Sequence, residues 1–129
     1  MIEQPGKKKM LIFSGSSNTE LAQKVSSNLG TELSEVEKKL FASGEIYLRL
    51  GDSVRGGDCF VMQSHSGDIN KTIMEQLLLV DALKRASAKR ITAVLPFYPY
   101  SRQDKKALPR EPISARLIGD MFVAAGLID

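Results

Sequence analysis

Residues 90–106 read Arg-Ile-Thr-Ala-Val-Leu-Pro-Phe-Tyr-Pro-Tyr-Ser-Arg-Gln-Asp-Lys-Lys, and this stretch decides the fold. Its first part, residues 90–95, is mostly apolar after Arg90, rich in β-branched residues and closed by Pro96, which predicts a buried strand. A buried strand without polar alternation is typical of a parallel sheet that is covered on both faces. The polar, basic part then follows the carboxyl end of this strand, where open α/β sheets place their ligands.

The rest of the chain alternates between strand and helix patterns, which predicts the α/β class with a mostly parallel sheet flanked by helices. Ser17 and Glu20 have the spacing of a capping box at a helix start, and Gly30 and Gly126 are typical helix ends. The predicted strands are residues 10–13, 36–40, 46–50, 59–63 and 90–95, the second and third forming a hairpin-like excursion around Gly44. The predicted helices follow Ser17, span residues 70–85, and run from Pro112 or Ile113 to Gly126 with Leu117, Ile118, Met121, Phe122 and Ala125 inward. A further strand is expected at residues 127–129, so the domain is expected to be truncated at its C-terminal end.

Composition fits one soluble globular domain of 129 residues, with 43% apolar and 26% charged residues and no Trp. The single cysteine, Cys59, excludes an internal disulfide and a Cys-rich metal site, and its apolar neighbours predict a buried, inert thiol. No apolar run approaches the ~18 residues that span a bilayer, and no signal peptide is recognisable, so we expect a cytoplasmic protein without membrane contact. The net charge is +3, and the basic residues 1–9 are expected to be a disordered tail before a domain at 10–129.

The basic loop after the 90–95 strand is the strongest candidate site. Arg102 offers a planar fork of donors for phosphate oxygens, and Lys105 and Lys106 add mobile positive charges. Gln103 can read a polar edge as donor and acceptor. From the residues alone, a solvated surface loop explains these charges equally well.

Three weaker candidates lie elsewhere. Phe41 beside Ser43, Gly44 and Glu45 could stack on and hydrogen-bond an adenine, although a plain turn explains the same residues. Ser53 and Arg55 before Gly56-Gly57 could bind an anion, although a turn is the commoner meaning. Residues 14–17 could bind an anion at a helix start but lack the Walker spacing and its lysine. His65, the only histidine, is predicted to be a loop residue near a strand end, and Asp81 a partner for a backbone or basic group.

Several stretches together resemble the N-terminal half of the phosphoribosyl pyrophosphate synthetases, the ribose-phosphate diphosphokinases, in order and spacing. They are Phe-Ser-Gly-Ser-Ser (13–17), Phe-Ala-Ser-Gly-Glu (41–45), Ser-Val-Arg-Gly-Gly-Asp (53–58), Met-Glu-Gln-Leu (74–77), residues 81–94, Tyr-Ser-Arg-Gln-Asp-Lys-Lys (100–106) and Arg-Glu-Pro-Ile-Ser-Ala-Arg-Leu (110–117). The resemblance covers residues 9–129 and is most similar to the actinobacterial members. It implies a phosphoribosyltransferase-like, Rossmann-like domain that is paired with a similar second domain in the full enzyme.

The resemblance also implies an activity: transfer of the β,γ-diphosphoryl group of ATP to ribose 5-phosphate, with Mg²⁺ and release of AMP. Arg102 and Gln103 would hold ATP, and Lys105 and Lys106 would close over its phosphates. The adenine would be contacted by Phe41, Ser43, Gly44 and Glu45. The nucleotide they contact would be held mainly by a neighbouring subunit of a homo-oligomer, in which dimers build a hexamer. Ser53 and Arg55 match positions that bind regulatory phosphate or ADP.

Two departures from the family pattern qualify this expectation. The family usually has Asp or Asn where this chain has Ser43. The chain also ends before the strand that brings a Mg²⁺-ligating histidine, and the ribose-phosphate loop, its acidic pair and the catalytic lysine of the second half are missing as well. No metal ligand is therefore expected within the chain, and the chain alone is expected to be inactive. A regulatory homologue that assembles with active synthetases is the alternative, and a nucleic-acid module is disfavoured because no basic face interleaves aromatic residues.

Overall fold

The computed structural model describes residues 9–127 and shows three α-helices, one short 3₁₀ helix at Ser101–Gln103 and five strands in that range. The elements are β1 (Met10–Ser14), α1 (Thr19–Asn28), β2 (Val36–Leu40), β3 (Ile46–Leu50), β4 (Asp58–Met62), α2 (Ile69–Arg85), β5 (Arg90–Val94) and α3 (Ser114–Ala125). Strands β1, β4 and β5 form a parallel sheet in that order, and β2 and β3 form a separate antiparallel hairpin. The predicted α/β class and parallel sheet are confirmed.

Helices cover the two faces of the parallel sheet because successive strand residues point to opposite sides. Ile12 and Met62 pack on Ala22 of α1. On the other face the core is built from β1, β4, β5, α2 and α3, and its most deeply buried members are Phe13, Cys59, Val61, Leu79, Val80, Leu83 and Ile91. The hairpin adds Leu48 and Leu50 to the edge of this second core.

The predicted start of α1 is wrong by one residue. Asn18, rather than Ser17, caps the helix, with a left-handed φ of 56° and its Oδ1 accepting from the Leu21 N–H at 3.3 Å. Asn tolerates the left-handed conformation better than most residues. The Ser17 hydroxyl instead pairs with the Ser66 hydroxyl at 2.7 Å, so a distant contact removes it from the cap.

The other predicted boundaries differ from the observed ones by one or two residues, and one side chain points in a different direction from the predicted one. Strand β4 begins at Asp58 and ends before Gln63, β5 ends at Val94 rather than residue 95, and α3 begins at Ser114 rather than Pro112 or Ile113. Ile118 and Phe122 are buried as predicted, but Leu117 is 56% exposed, so its predicted inward direction is wrong.

Two expectations fall at the chain ends. No strand is present at Leu127, and residues 128–129 lie outside the described residues. The tail proposed for residues 1–9 lies outside them as well, apart from Lys9. Between residues 9 and 127 no helix is long and apolar enough to cross a membrane.

Candidate functional site

The loop between β5 and α3 carries the predicted phosphate-binding residues and is tied to both neighbouring helices. Tyr100 begins a short 3₁₀ turn at Ser101–Gln103 with a left-handed φ of 63°, and its hydroxyl donates to Asn70 Oδ1 in the first turn of α2. The Tyr98 hydroxyl donates to the Ala115 carbonyl of α3 at 2.6 Å. These two bonds hold the loop over the carboxyl end of the sheet.

A second anchor fixes the side chain of Gln103. Its Oε1 accepts a hydrogen bond from the Ser114 hydroxyl at 2.6 Å. Because the oxygen is used in this way, the Nε2 group is the part left to donate to a ligand. Gln103 therefore favours a hydrogen-bond acceptor, such as a phosphate, ribose or ring-nitrogen lone pair.

A cavity of about 540 Å³ opens beside this loop. The first residues of α2 and the loop line it together, and the lining residues are Gly67, Asp68, Ile69, Asn70, Phe97, Tyr100, Ser101, Arg102 and Gln103. The N-terminus of α2 presents partial positive charge, and Arg102 adds a full charge, while Asp68, which caps the helix, is the acidic residue of the lining. This combination suits an anionic ligand with a flat or ribose-like part.

The side chains of Arg102, Lys105 and Lys106 are available to a ligand. Across residues 9–127, neither Arg102, Lys105 nor Lys106 forms a salt bridge with a carboxylate, and all three are exposed. Like charges that are close together repel one another, and an added anion reduces that repulsion. The positive charges of the loop therefore favour contact with a polyanion.

The predicted adenine-contacting residues form the tip of the β2–β3 hairpin. Phe41 is 43% exposed, and its ring meets Tyr47 edge-on with centroids 6.3 Å apart. Lys39 Nζ lies 5.4 Å from the centre of the Phe41 ring. Ser43 Oγ donates to Glu45 Oε1 at 2.8 Å, across the turn that Gly44 makes with a φ of 92°. The tip presents an aromatic face, a hydroxyl and a carboxylate together.

The structure does not bring the three predicted clusters into one pocket. None of the hairpin-tip residues lines the cavity beside Arg102. Ser53 lines a separate groove of about 920 Å³ with Lys9 and the acidic residues Glu32, Glu35 and Asp52, and Arg55 is exposed outside that lining. Acidic residues beside Ser53 do not favour an anion in this groove itself.

A buried polar network below the carboxyl ends of β1 and β4 was missed by sequence reasoning. Its members are buried and hydrogen-bonded, and they are Gln63, His65, Thr72, Glu75 and Gln76. The signal was available: three polar residues at i, i+3 and i+4 share one face of a helix whose other buried positions are apolar. Such a stripe on a buried helix face indicates a polar partner from another element.

Glu75 is the charged centre of this network. Its carboxylate accepts from the Ser16 N–H and hydroxyl at 2.6 Å each and from Gln63 Nε2 at 2.6 Å. Burial alone would raise the pKa of Glu75, but the bonds from Ser16 and Gln63 and the charge of Lys38 hold that pKa below its ordinary value. Glu75 is therefore ionised at neutral pH although it is only 4% exposed.

His65, found in the loop after β4 as predicted, is 1% exposed. Its Nε2 lies 2.7 Å from Gln76 Oε1, because the Gln76 Nε2 group donates to the Val61 carbonyl at 2.9 Å. The proton of the neutral ring is thereby placed on Nε2, and Nδ1 faces the Thr72 hydroxyl at 2.9 Å. Burial lowers the pKa of His65, outweighing the raising effects of Gln76 and Glu75. These contacts give His65 a structural role.

The part of the chain that the structure describes contains no cluster of side chains suited to a metal ion. No group of three or more His, Cys, Asp or Glu residues there is arranged to hold a metal ion. Asp68 lines the cavity, but its Oδ1 also accepts from the Lys71 N–H at 3.3 Å as the cap of α2.

Comparison with known proteins gives a consistent family. The sequence model of a protein family, the N-terminal domain of ribose phosphate pyrophosphokinase, matches residues 10–126. The ribose-phosphate pyrophosphokinase of Corynebacterium efficiens is 59% identical over 119 residues, which are 92% of this chain and 37% of that protein. That of Streptomyces avermitilis is 55% identical over 125 residues, which are 97% of this chain and 39% of that protein.

A solved structure agrees with the sequence matches. The crystal structure of phosphoribosylpyrophosphate synthetase from Mycobacterium smegmatis has a TM-score of 0.91 and 52% identity, over 93% of this chain and 40% of that one. The chain spans 37–39% of the length of these two curated relatives. The resemblance to the actinobacterial synthetases is confirmed, and the chain belongs to the family of the N-terminal domain of ribose phosphate pyrophosphokinase.

Proposed function

We propose that this chain is the nucleotide-binding part of an enzyme that converts ATP and ribose 5-phosphate to AMP and 5-phosphoribose 1-diphosphate. In this reaction the anomeric hydroxyl oxygen attacks the β-phosphorus of ATP, the bond between that phosphorus and the α-phosphate bridging oxygen breaks, and the hydroxyl proton is lost. AMP leaves, and the sugar gains the diphosphoryl group. The observation that carries the proposal is the Arg102–Gln103 turn beside the start of α2, in a chain of this family.

The residues of the basic loop act by electrostatics and orientation. Arg102 binds two phosphate oxygens through two parallel N–H groups, and Gln103 donates from Nε2 because its oxygen accepts from the Ser114 hydroxyl. Lys105 and Lys106 fold over the phosphates and stabilise negative charge that develops on the transferred group. Mg²⁺ bound to ATP supplies further charge neutralisation, and no ligand for it is proposed within this chain.

The hairpin tip supplies the adenine contacts in this proposal. Phe41 stacks on the base, and Ser43, Gly44 and Glu45 offer hydrogen bonds to its edge. Since the tip does not line the cavity of Arg102, it serves a nucleotide held mainly by a second copy of the chain, which implies a homo-oligomer. Ser53 and Arg55 are proposed to bind regulatory phosphate or ADP between subunits, and the protein is proposed to act in the cytoplasm, without nucleic-acid or membrane partners.

Calorimetric titration with Mg-ATP tests the binding role. Arg102→Ala is expected to weaken binding about tenfold or more, because a charge-assisted hydrogen bond contributes about 1.5–3 kcal/mol. Arg85→Ala is the matched control, because Arg85 pairs with Asp81 at the far end of α2. Equal affinities for wild type and Arg102→Ala would remove the loop from the nucleotide site.

A coupled AMP-release assay tests the activity. The chain alone is expected to release no AMP from ATP and ribose 5-phosphate. A chimaera that joins residues 1–126 to the C-terminal remainder of the Corynebacterium efficiens relative is expected to release AMP, and Arg102→Ala is expected to abolish that release. AMP release by the chain alone, or none by the chimaera, contradicts this division of labour; the second result would favour a regulatory homologue.

A further inference from the structure

Three separate segments meet on the carboxylate of Glu75. The loop after β1 contributes the Ser16 N–H and hydroxyl, and the end of β4 contributes Gln63. The hairpin contributes Lys38, whose Nζ lies 3.8 Å from Glu75 Oε2 and donates to the Ser14 carbonyl at 2.9 Å. One side chain of α2 thus contacts the sheet, the first loop and the hairpin.

The ion pair with Lys38 differs from the other ion pairs on helices. The Glu75 side chain is 6% exposed and that of Lys38 is 28% exposed, whereas the pair of Lys24 with Glu20 is 70% and 76% exposed. Exposed pairs contribute little, but removing the partner of a buried charge is costly. Within residues 9–127, Lys38 alone forms a salt bridge with this carboxylate.

Lys38 is also well placed to control the hairpin. It pairs with Leu48 across the two strands and stands three residues before Phe41, the first residue of the tip. The apolar contacts of the hairpin with the core come from Val36 and Leu50 at its base and from Leu48, directly opposite Lys38. Lys38 is therefore a polar contact at the last level of the hairpin that packs on the core, below the exposed tip.

We infer that Glu75 is a positioning residue that, through Lys38, fixes the direction of the β2–β3 hairpin and so of the Phe41–Glu45 tip. Its effect on ATP binding rests on the proposed function; its effect on the hairpin does not. The carboxylate touches no ligand in this role. It sets where the adenine-contacting residues stand.

Amide hydrogen exchange on the 129-residue chain tests the structural part. Lys38→Met and Glu75→Gln are each expected to speed exchange in the tip about tenfold, including the Phe41 and Gly44 amides that close the turn, while β4 and β5 stay protected. Lys38→Arg is expected to restore slow exchange because guanidinium can reach the same acceptors. Lys24→Met is the matched control, removing an equal charge from an exposed pair.

The outcomes separate positioning from general stability. Tip exchange in Lys38→Met equal to that in Lys24→Met overturns the inference, and so does equal acceleration in β4 and β5, which signals global loosening. The double variant Lys38→Met/Glu75→Gln is expected to exchange no faster in the tip than either single variant. Additive acceleration contradicts a shared action.

Titration with Mg-ATP tests the functional part. Lys38→Met is expected to weaken binding about tenfold relative to Lys24→Met, with Lys38→Arg close to wild type. If the wild-type chain binds no ATP, the proposed function fails for this chain and exchange alone decides the inference. Unchanged ATP affinity in a variant with a loosened tip overturns the link between hairpin direction and nucleotide binding.

Discussion

Gly15 lies so close to Gln63 that a Cβ atom at position 15 would stand 2.2 Å from the Cδ and Nε2 atoms of the glutamine. The glutamine cannot simply move away, because its Oε1 accepts from the Ser17 N–H at 3.0 Å and its Nε2 donates to Glu75 at 2.6 Å. Position 15 therefore requires glycine for space.

Gly15→Ala is expected to lower the free energy of unfolding by about 1–3 kcal/mol, because overpacking forces a buried hydrogen bond to break. Urea denaturation of the chain measures this loss. In a Gln63→Ala background the same change is expected to cost much less, since the obstructing amide is gone. An equal cost in both backgrounds would show that contact with Gln63 is not the cause.

Leu79→Ala is expected to destabilise the chain by about 2–5 kcal/mol, because a fully buried leucine leaves a cavity in the packed core of α2. Leu117→Ala on α3 is the matched control: the same truncation on a helix residue that is 56% exposed is expected to cost about 0.5 kcal/mol or less. Thermal or urea unfolding of both variants gives the comparison. Similar losses would contradict the outward direction of Leu117.

His65 is expected to make stability fall in mild acid. Burial lowers its pKa in the folded chain, so below about pH 6.5, the ordinary value, the unfolded chain binds a proton that the folded chain does not. Stability from the neutral ring is thus complete above that pH and declines as the pH falls towards the lowered pKa. Urea midpoints at several pH values between about 5 and 7.5 measure this slope.

The matched variant is His65→Asn, because Asn tolerates the left-handed φ of 56° at this position. Its stability is expected to be lower at neutral pH and to vary less across the same range. A variant with the wild-type slope would assign the pH dependence to other groups.

Cys59 is expected to resist alkylation in the folded chain. It is fully buried, and burial followed by the charge of Asp58 raises the pKa of its thiol to about 11, so little thiolate forms at pH 8. Mass spectrometry after iodoacetamide treatment is expected to show no adduct until urea unfolds the chain. Ser27→Cys, at an exposed position of α1, provides a thiol that reacts at once under the same conditions. Rapid native labelling of Cys59 would contradict its burial.

Sequence reasoning placed the strands well because their burial leaves a local pattern. Residues 46–50 alternate between half-buried and exposed positions, as their sequence predicts. In Arg90–Val94, predicted to be buried, only Ile91 is fully buried and the other four residues are half-buried. Leu117 was misplaced because α3 is apolar on several faces, and only packing against α2 decides which face turns inward. Ser17 was misplaced because its partner, Ser66, is distant in sequence.

In the candidate site, too, features with a local sequence pattern were predicted and long-range contacts were not. The basic loop was recognised from a strand end and a cluster of charges, both of which are local. The Glu75 network could not be assembled in advance, because Ser16 and Glu75 stand 59 residues apart and nothing local pairs them. Long-range polar contacts depend on how elements pack, which periodicity does not record.

The β2–β3 hairpin lies between α1 and β4 in the chain, yet β1 pairs directly with β4 from Met10 opposite Asp58 to Ser14 opposite Met62. The hairpin keeps its own ladder, from Val36 opposite Leu50 to Leu40 opposite Ile46. The strand pairing of the hairpin is consequently independent of the strand pairing of the parallel sheet. Within residues 9–127 the parallel sheet and the hairpin are separate ladders, so a tip of different length or composition at Phe41–Glu45 is expected to leave the β1–β4 register intact.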